Sequence, residues 1–306
     1  MPRRRSAPRA GLSGDAAVTV RGRLAARGID GVTLLVLPAV ALLVLLFVYP
    51  FLYGLFLSFR PKDGSLLGNY ARFFGDPFFR DTVWVTMRLA LPVTLLNLLL
   101  ALPIALRVRH LRRQRLLITV LVLPITLGTV LVSEGMLNYF GPQGWFSRTL
   151  MLLGLIGAPV KLVQSYTGVF LSLLITGFPF TFLLTLSYVT GIDPALEQAG
   201  ATLGAGPSRR FRHVLLPLLL PGLAITFCLS FVQAYSVLPS AVLVGDPSRT
   251  TRVISIAAYQ AAFEEYDYAM ASTVALIMGA TQLAVVGMAL GLRGLLYRGP
   301  AGGAKG

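Results

Sequence analysis

Cysteine is nearly absent from this chain: Cys228 stands alone. An intrachain disulfide is therefore excluded, and without a ligand cluster around it Cys228 reads as a small buried apolar residue. Histidine is almost as scarce, with only His110 and His213, both in basic stretches. So thin a supply yields no Ser–His–Asp arrangement and no metal-ligand set, and paired carboxylates are missing as well. No Gly-x-x-x-x-Gly-Lys-[Ser/Thr] sequence occurs, so the chain has no phosphate-cradling loop of its own. Any energy-driven work must draw on another subunit or on an ion gradient. Charged residues are also few, 13% against 55% hydrophobic. That balance excludes disorder and argues against an ordinary soluble enzyme.

What is abundant is continuous apolar sequence. Candidate membrane spans run over roughly 31–59, 83–106, 116–140, 165–191, 218–238 and 269–292, each near the ~20 residues a helix needs to cross a bilayer. Lipid offers no partner to free backbone groups, so a span is a helix or part of a closed barrel. Unbroken apolar runs, rather than alternating ones, select helices. The expected fold is all-α: a polytopic membrane protein of six transmembrane helices. The first apolar run is too long for a signal-peptide core, and Arg60 ends it without a small-x-small site, so an uncleaved first span is expected.

The formal charge of +15 could suggest nucleic acid, but its placement does not. With a cytosolic N-terminus, 18 of the 27 Lys and Arg fall on the inner side and eight outside, with Arg88 inside span two; seven of the 12 acids fall outside. This positive-inside asymmetry puts both termini in the cytosol. Residues 1–28 form a basic, flexible cytosolic arm whose Arg3, Arg4, Arg5 and Arg9 suit solvent or lipid headgroups. Residues 29–293 form one six-helix transmembrane domain, and 294–306 a short cytosolic tail. On the outer side, 60–82 is a polar segment with the interfacial aromatics Phe73, Phe74, Phe78 and Phe79. The stretch Leu150–Ile156 is too short to span and reads as an interfacial helix. Pro50, Pro92, Pro103, Pro124 and the pair Gly177 and Pro179 interrupt the spans, either as packing irregularities or as kinks shaping a pathway.

The segment 193–217 is polar, punctuated and enclosed by spans. Asp193-Pro194 is a helix start, with Asp as cap and Pro in the first turn, and Glu197 follows where the helix dipole favours an acid. Gly204 and Gly206 bracket the end, and Pro207 opens another helical turn bearing Arg209, Arg210, Arg212 and His213. The result is helix, turn, helix across the cytosolic membrane face. Small residues there permit close approach of another surface.

The series Gln198-Ala199-Gly200, then Gly204, then Val214-x-Leu216-Pro217 resembles the EAA loop of ATP-binding-cassette importer permeases. That pattern is Glu-Ala-Ala, three residues, Gly, nine residues, Ile-x-Leu-Pro. Gly204, Leu216 and Pro217 fall at its spacing and Val214 replaces Ile. Gln198 replaces the motif Glu, Gly200 replaces the second Ala, and Glu197 lies one position early. The resemblance covers roughly 30–293. It implies a bacterial inner-membrane importer subunit whose coupling helix docks on a cytosolic ATPase. It further implies two ATP-binding subunits carrying ATP-Mg, a second homologous permease or second copy, and an extracytoplasmic solute-binding protein. No cofactor is expected in this chain, and no nucleic-acid partner. An ion-coupled secondary carrier is the competing class, but inverted repeats and further intramembrane acids are not seen.

Arg88 and Glu134 are the ionisable residues that stand out within spans, at similar depth. They read as an ion pair, as snorkelling side chains, or as contacts to substrate; Glu134 would suit a cation. Gly141-Pro-Gln-Gly144, Gly154-Leu-Ile-Gly-Ala-Pro159 and the run 231–245 resemble the spermidine/putrescine-type branch, itself similar to iron, thiamine and phosphonate permeases; a sugar permease is a further alternative. In that reading Gln233, Tyr235 and Ser236 could offer hydrogen bonds or cation–π contact, or simply pack between spans.

Overall fold

The computed structural model describes residues 31–60, 64–111 and 113–296. The basic arm 1–28, and the tail from 297 onward, lie outside the described residues. The chain divides at Phe56/Leu57 into two compact units. The described part of the first is a single apolar helix, α1, whose span Leu35–Ser58 has a mean hydropathy of 2.7 and a wide π turn at Val44–Val48.

The second unit holds the other five span-length helices: α3 (Pro77–Val108), α4 (Gln114–Phe140), α6 (Tyr166–Thr190), α8 (Pro207–Tyr235) and α11 (Tyr268–Leu296). With α1 they make six helices, among the described residues, that are long and apolar enough to cross a membrane. Short helices fill the connections: α2 (Gly68–Gly75), α5 (Trp145–Leu152), α7 (Pro194–Thr202), α9 (Pro239–Leu243) and α10 (Ile254–Tyr259). Among the described residues there is no strand.

Start signals decide where the helices begin. Asp76 Oδ1 accepts from the Phe78 N–H at 2.9 Å with Pro77 in the first turn, so α3 starts six residues earlier than its apolar run. Ser165 caps α6 in the same way through the Gly168 N–H. The interfacial helix α5 is displaced from the expected Leu150–Ile156: extended Gly144 starts it, and Gly154 at φ 68° turns the chain after it. The helix of span five extends toward the basic segment, starting at Pro207. A π turn at Phe211–Leu215, where the Leu216 N–H bonds the Phe211 carbonyl, widens the backbone just before Pro217, whose ring would crowd a regular turn.

Two apolar centres hold the bundle. At the end bearing the Arg-rich connections, Ala101 and Ala105 of α3, Phe182 and Leu186 of α6, and Leu215 and Leu219 of α8 are buried together. At the opposite end, Phe73, Phe231, Tyr235, Ile254 and Met270 join α2, α8, α10 and α11. Hydroxyls inside the spans are satisfied by their own helices: Thr86, Thr94, Thr176, Thr185 and Thr226 each donate to the carbonyl four residues back. The kink in α4 falls at Gly128, not at Pro124; its φ 74°, ψ 164° belong to a backbone region essentially confined to glycine.

Gly222 of α8 faces the Tyr188 ring so closely that a Cβ would lie 2.4 Å from it. Gly222→Val should therefore destabilise the folded protein by about 1–3 kcal/mol, read as a lowered thermal midpoint in detergent. Gly279→Ala, where the added Cβ meets nothing within 4 Å, should leave it unchanged or higher.

Candidate coupling loop and membrane chamber

The loop folds into the expected helical hairpin. Asp193 Oδ1 accepts from the Ala195 N–H at 2.9 Å and opens α7. The helix ends in a Schellman arrangement: the Ala205 N–H bonds the Gly200 carbonyl and the Gly204 N–H bonds the Ala201 carbonyl, both at 3.0 Å. Gly204 sits at φ 77° with open space around its Cα, so its glycine is required by backbone conformation rather than by crowding within the chain. Gly206 is extended and leads into Pro207 of α8.

The motif positions divide between two faces. Gly200 faces inward: a Cβ there would lie 3.3 Å from the Arg210 Cγ and 3.9 Å from Val214. Val214, Leu216 and Pro217 are half-buried where α8 enters the bundle. Gln198 and Ala199 are exposed, and beside them Leu196 and Leu203 are 47% and 88% exposed. The hairpin thus presents leucine and alanine outward and packs its glycine against its own second helix.

One contact was not legible from the loop itself. Glu197 accepts a hydrogen bond from the Arg109 guanidinium at the end of α3, and Arg109 also donates to His110 Nε2 at 2.8 Å. The Arg109 side chain is 9% exposed and that of Glu197 25%. The carboxylate one position early in the motif therefore ties α7 to the neighbouring connection. The signal available in sequence was only that 107–115 is basic; nothing in the spacing selects Arg109 from its neighbours.

The candidate pathway residues separate. Arg88 and Glu134 are both exposed and form no ion pair with each other. The Arg88 guanidinium lies 5.5 Å from the Trp84 ring centroid, and its carbonyl accepts from the Tyr166 hydroxyl at 2.7 Å. Glu134 contributes its carbonyl to the Asn138 amide. Tyr235 is fully buried against Phe231. Gln233 is exposed and lines a cleft of about 110 Å³ between α3, α4, α6 and α8. Asn97, Thr129, Thr176, Thr181 and Ser230 also face this cleft, with Ser236 and Ser240. Sequence reading missed Asn97; a lone Asn within the apolar stretch 89–106 was the available signal.

Glu197→Gln should leave the Arg109 charge largely desolvated and without its partner. Amides 195–203 are then expected to exchange about tenfold faster. Pairing it with Arg109→Met should restore most of the protection, as hydrogen-exchange mass spectrometry would read.

No family model matches the chain. It is 29% identical over 196 residues to the spermidine/putrescine transport system permease protein PotB of Haemophilus influenzae, covering 61% of this chain and 68% of that one. It is 31% identical over 158 residues to the probable sulfate transport system permease protein cysT of Chlorella vulgaris, covering 51% of this chain but only 57% of that one. It is 26% identical over 270 residues to the sn-glycerol-3-phosphate transport system permease protein UgpA of Pectobacterium atrosepticum, covering 83% and 90%. The crystal structure of a bacterial alginate ABC transporter, in complex with an alginate pentasaccharide-bound periplasmic protein, contains a chain of the same fold: TM-score 0.75, 19% identity, over 87% of this chain and 95% of that one. The six span-length helices and these relatives agree that the chain is an all-α multi-pass membrane protein, similar over much of its length to the permease proteins of solute transport systems.

Proposed function

We propose that the chain forms the solute pathway of an ATP-driven importer of the bacterial inner membrane and that it moves polyamines. The observation that carries the first part is the hairpin at 193–216. It is rigidly capped, tied to α3 through Arg109, and displays Leu196, Ala199 and Leu203 outward. Exposed apolar residues on a structured, otherwise polar element suit a protein partner. The partner in this reading is a cytosolic ATPase, present in two copies and holding ATP-Mg, since the chain has no phosphate-binding loop of its own. A second permease, homologous or identical, would complete the pathway, and an extracytoplasmic solute-binding protein would deliver to the opposite end. Both termini are then cytosolic, as the Lys and Arg distribution requires. The polyamine assignment follows the similarity to PotB, described as a spermidine/putrescine permease.

In this mechanism the hairpin acts as a lever. Movement of the ATPase surface is passed through α7 to α8, with which it is continuous after the Gly204 turn, and to α3 through the Glu197–Arg109 contact. Those two helices also line the cleft, so docking and pathway share structural elements. Removing residues 197–212 should abolish co-purification with the partner ATPase while α3, α6 and α8 still fold. Retained association would overturn the docking assignment. Proteoliposomes holding the full complex should accumulate labelled putrescine only with ATP and binding protein, and ATP-driven uptake of sulfate but not putrescine would overturn the substrate.

A further inference from the structure

The cleft between α3, α4, α6 and α8 has a marked hydrogen-bonding bias. Thr176 Oγ1 donates to the Ser172 carbonyl at 2.8 Å, and Thr181 Oγ1 donates to the Gly177 carbonyl at 3.0 Å. With that proton used, the 2.9 Å contact between Thr181 and Ser230 takes its proton from Ser230. Ser240 Oγ accepts from Ser172 at 2.9 Å, and Ser236 Oγ accepts from the Gln282 amide at 2.8 Å. The protons of Thr176, Thr181 and Ser230 are thus turned into the protein, while Ser236 and Ser240 keep their own hydroxyl protons.

Asn97 completes the pattern. It is 2% exposed, faces the cleft, and its Oδ1 has no hydrogen-bond partner. A buried acceptor left unpaired costs about 1–3 kcal/mol, so the site is incomplete without a donor. Gly177 makes room for this amide: a Cβ there would lie 2.8 Å from Asn97 Nδ2. On the facing wall the α4 ladder is interrupted at Gly128, immediately before Thr129. Among the described residues, no Lys, Arg, Asp, Glu or His lines the cleft.

We propose that this chamber is a subsite for a donor-rich cationic end group, the terminal ammonium of an aliphatic amine, with Asn97 Oδ1 as its principal acceptor. An ammonium carries three donors and no acceptor, which complements the unpaired Asn97 Oδ1 and the lone pairs of Thr176, Thr181 and Ser230, whose own protons are already given to protein acceptors. The volume of about 110 Å³ holds one end group rather than a whole extended polyamine. Without a fixed carboxylate the site binds weakly enough to release its ligand, as a conduction path requires. This assignment rests on the polyamine reading above and specifies where the amine is held.

The test needs no transport. Gln233→Cys in a Cys228→Ala background, within the full complex in nanodiscs, is labelled with the cationic 2-aminoethyl methanethiosulfonate and with its anionic sulfonatoethyl counterpart. The cationic reagent should react at least about tenfold faster after correction for intrinsic reactivity, and putrescine should slow labelling. Adding Asn97→Leu should weaken that protection about tenfold, a change expected from loss of one charge-assisted hydrogen bond, while Asn97→Asp should keep or strengthen it. Protection by sulfate, equal protection by glycerol, or protection indifferent to Asn97 would each overturn the proposal. Absent putrescine uptake with amine protection intact would instead strike the importer's substrate assignment and leave the subsite standing.

Discussion

Every feature of this protein depends on one constraint: within lipid, a backbone N–H or carbonyl has no solvent to bond. Five spans of the second unit answer it with regular helix, and their threonines answer it again by bonding the preceding turn. Departures from regular helix therefore need a local reason. The π turn at Phe211–Leu215 accommodates Pro217 where α8 leaves the polar hairpin. The break at Gly128 stands beside Thr129, which faces the cleft. Both sites have polar surroundings able to receive the backbone groups that an irregular turn releases.

The same constraint explains why the two ends of the bundle are built differently from its middle. Charge is concentrated in the connections, where the Glu197–Arg109 contact can form in partial contact with water. At the opposite end Arg72 approaches Asp267 at 3.9 Å and Arg252 lies against the Phe78 ring. A partly buried pair in a connection does more for geometry than for net stability, since desolvation offsets much of its attraction. Here it ties α7 to the end of α3.

The six spans, the capped start at Asp193 and the turn at Gly204 were legible because each rests on a local rule: apolar length, Asp-Pro capping, and glycine at a helix end. Other features depend on which helices meet. In sequence Gln233, Tyr235 and Ser236 together suit hydrogen bonds, cation–π contact or packing between spans; the 3.6-residue period turns Tyr235 100° or more away from the other two and into the core with Phe231. Arg88 and Glu134 share a depth but not a partner, because similar depth says nothing about which faces oppose. Gly177 read as a helix breaker, whereas its absent side chain serves Asn97 on another helix. Gly128, not Pro124, carries the kink because its own backbone reaches a region closed to other residues.

The chain carries +15, yet the walls of its internal cleft are uncharged. This is a consistent division of labour. Charges in the connections orient the protein across a membrane and hold its hairpin, tasks for which long range and strength are useful. A pathway has the opposite need, because a fixed charge at low dielectric would either exclude a solute of like sign or hold one of opposite sign too firmly to release it. In the proposed reading, hydrogen-bond polarity discriminates without that penalty: hydroxyls that have already spent their protons on the helix backbone favour donors over oxyanions. Threonine back-bonding, which the membrane demands for stability, thereby also sets part of the polarity of the cleft wall.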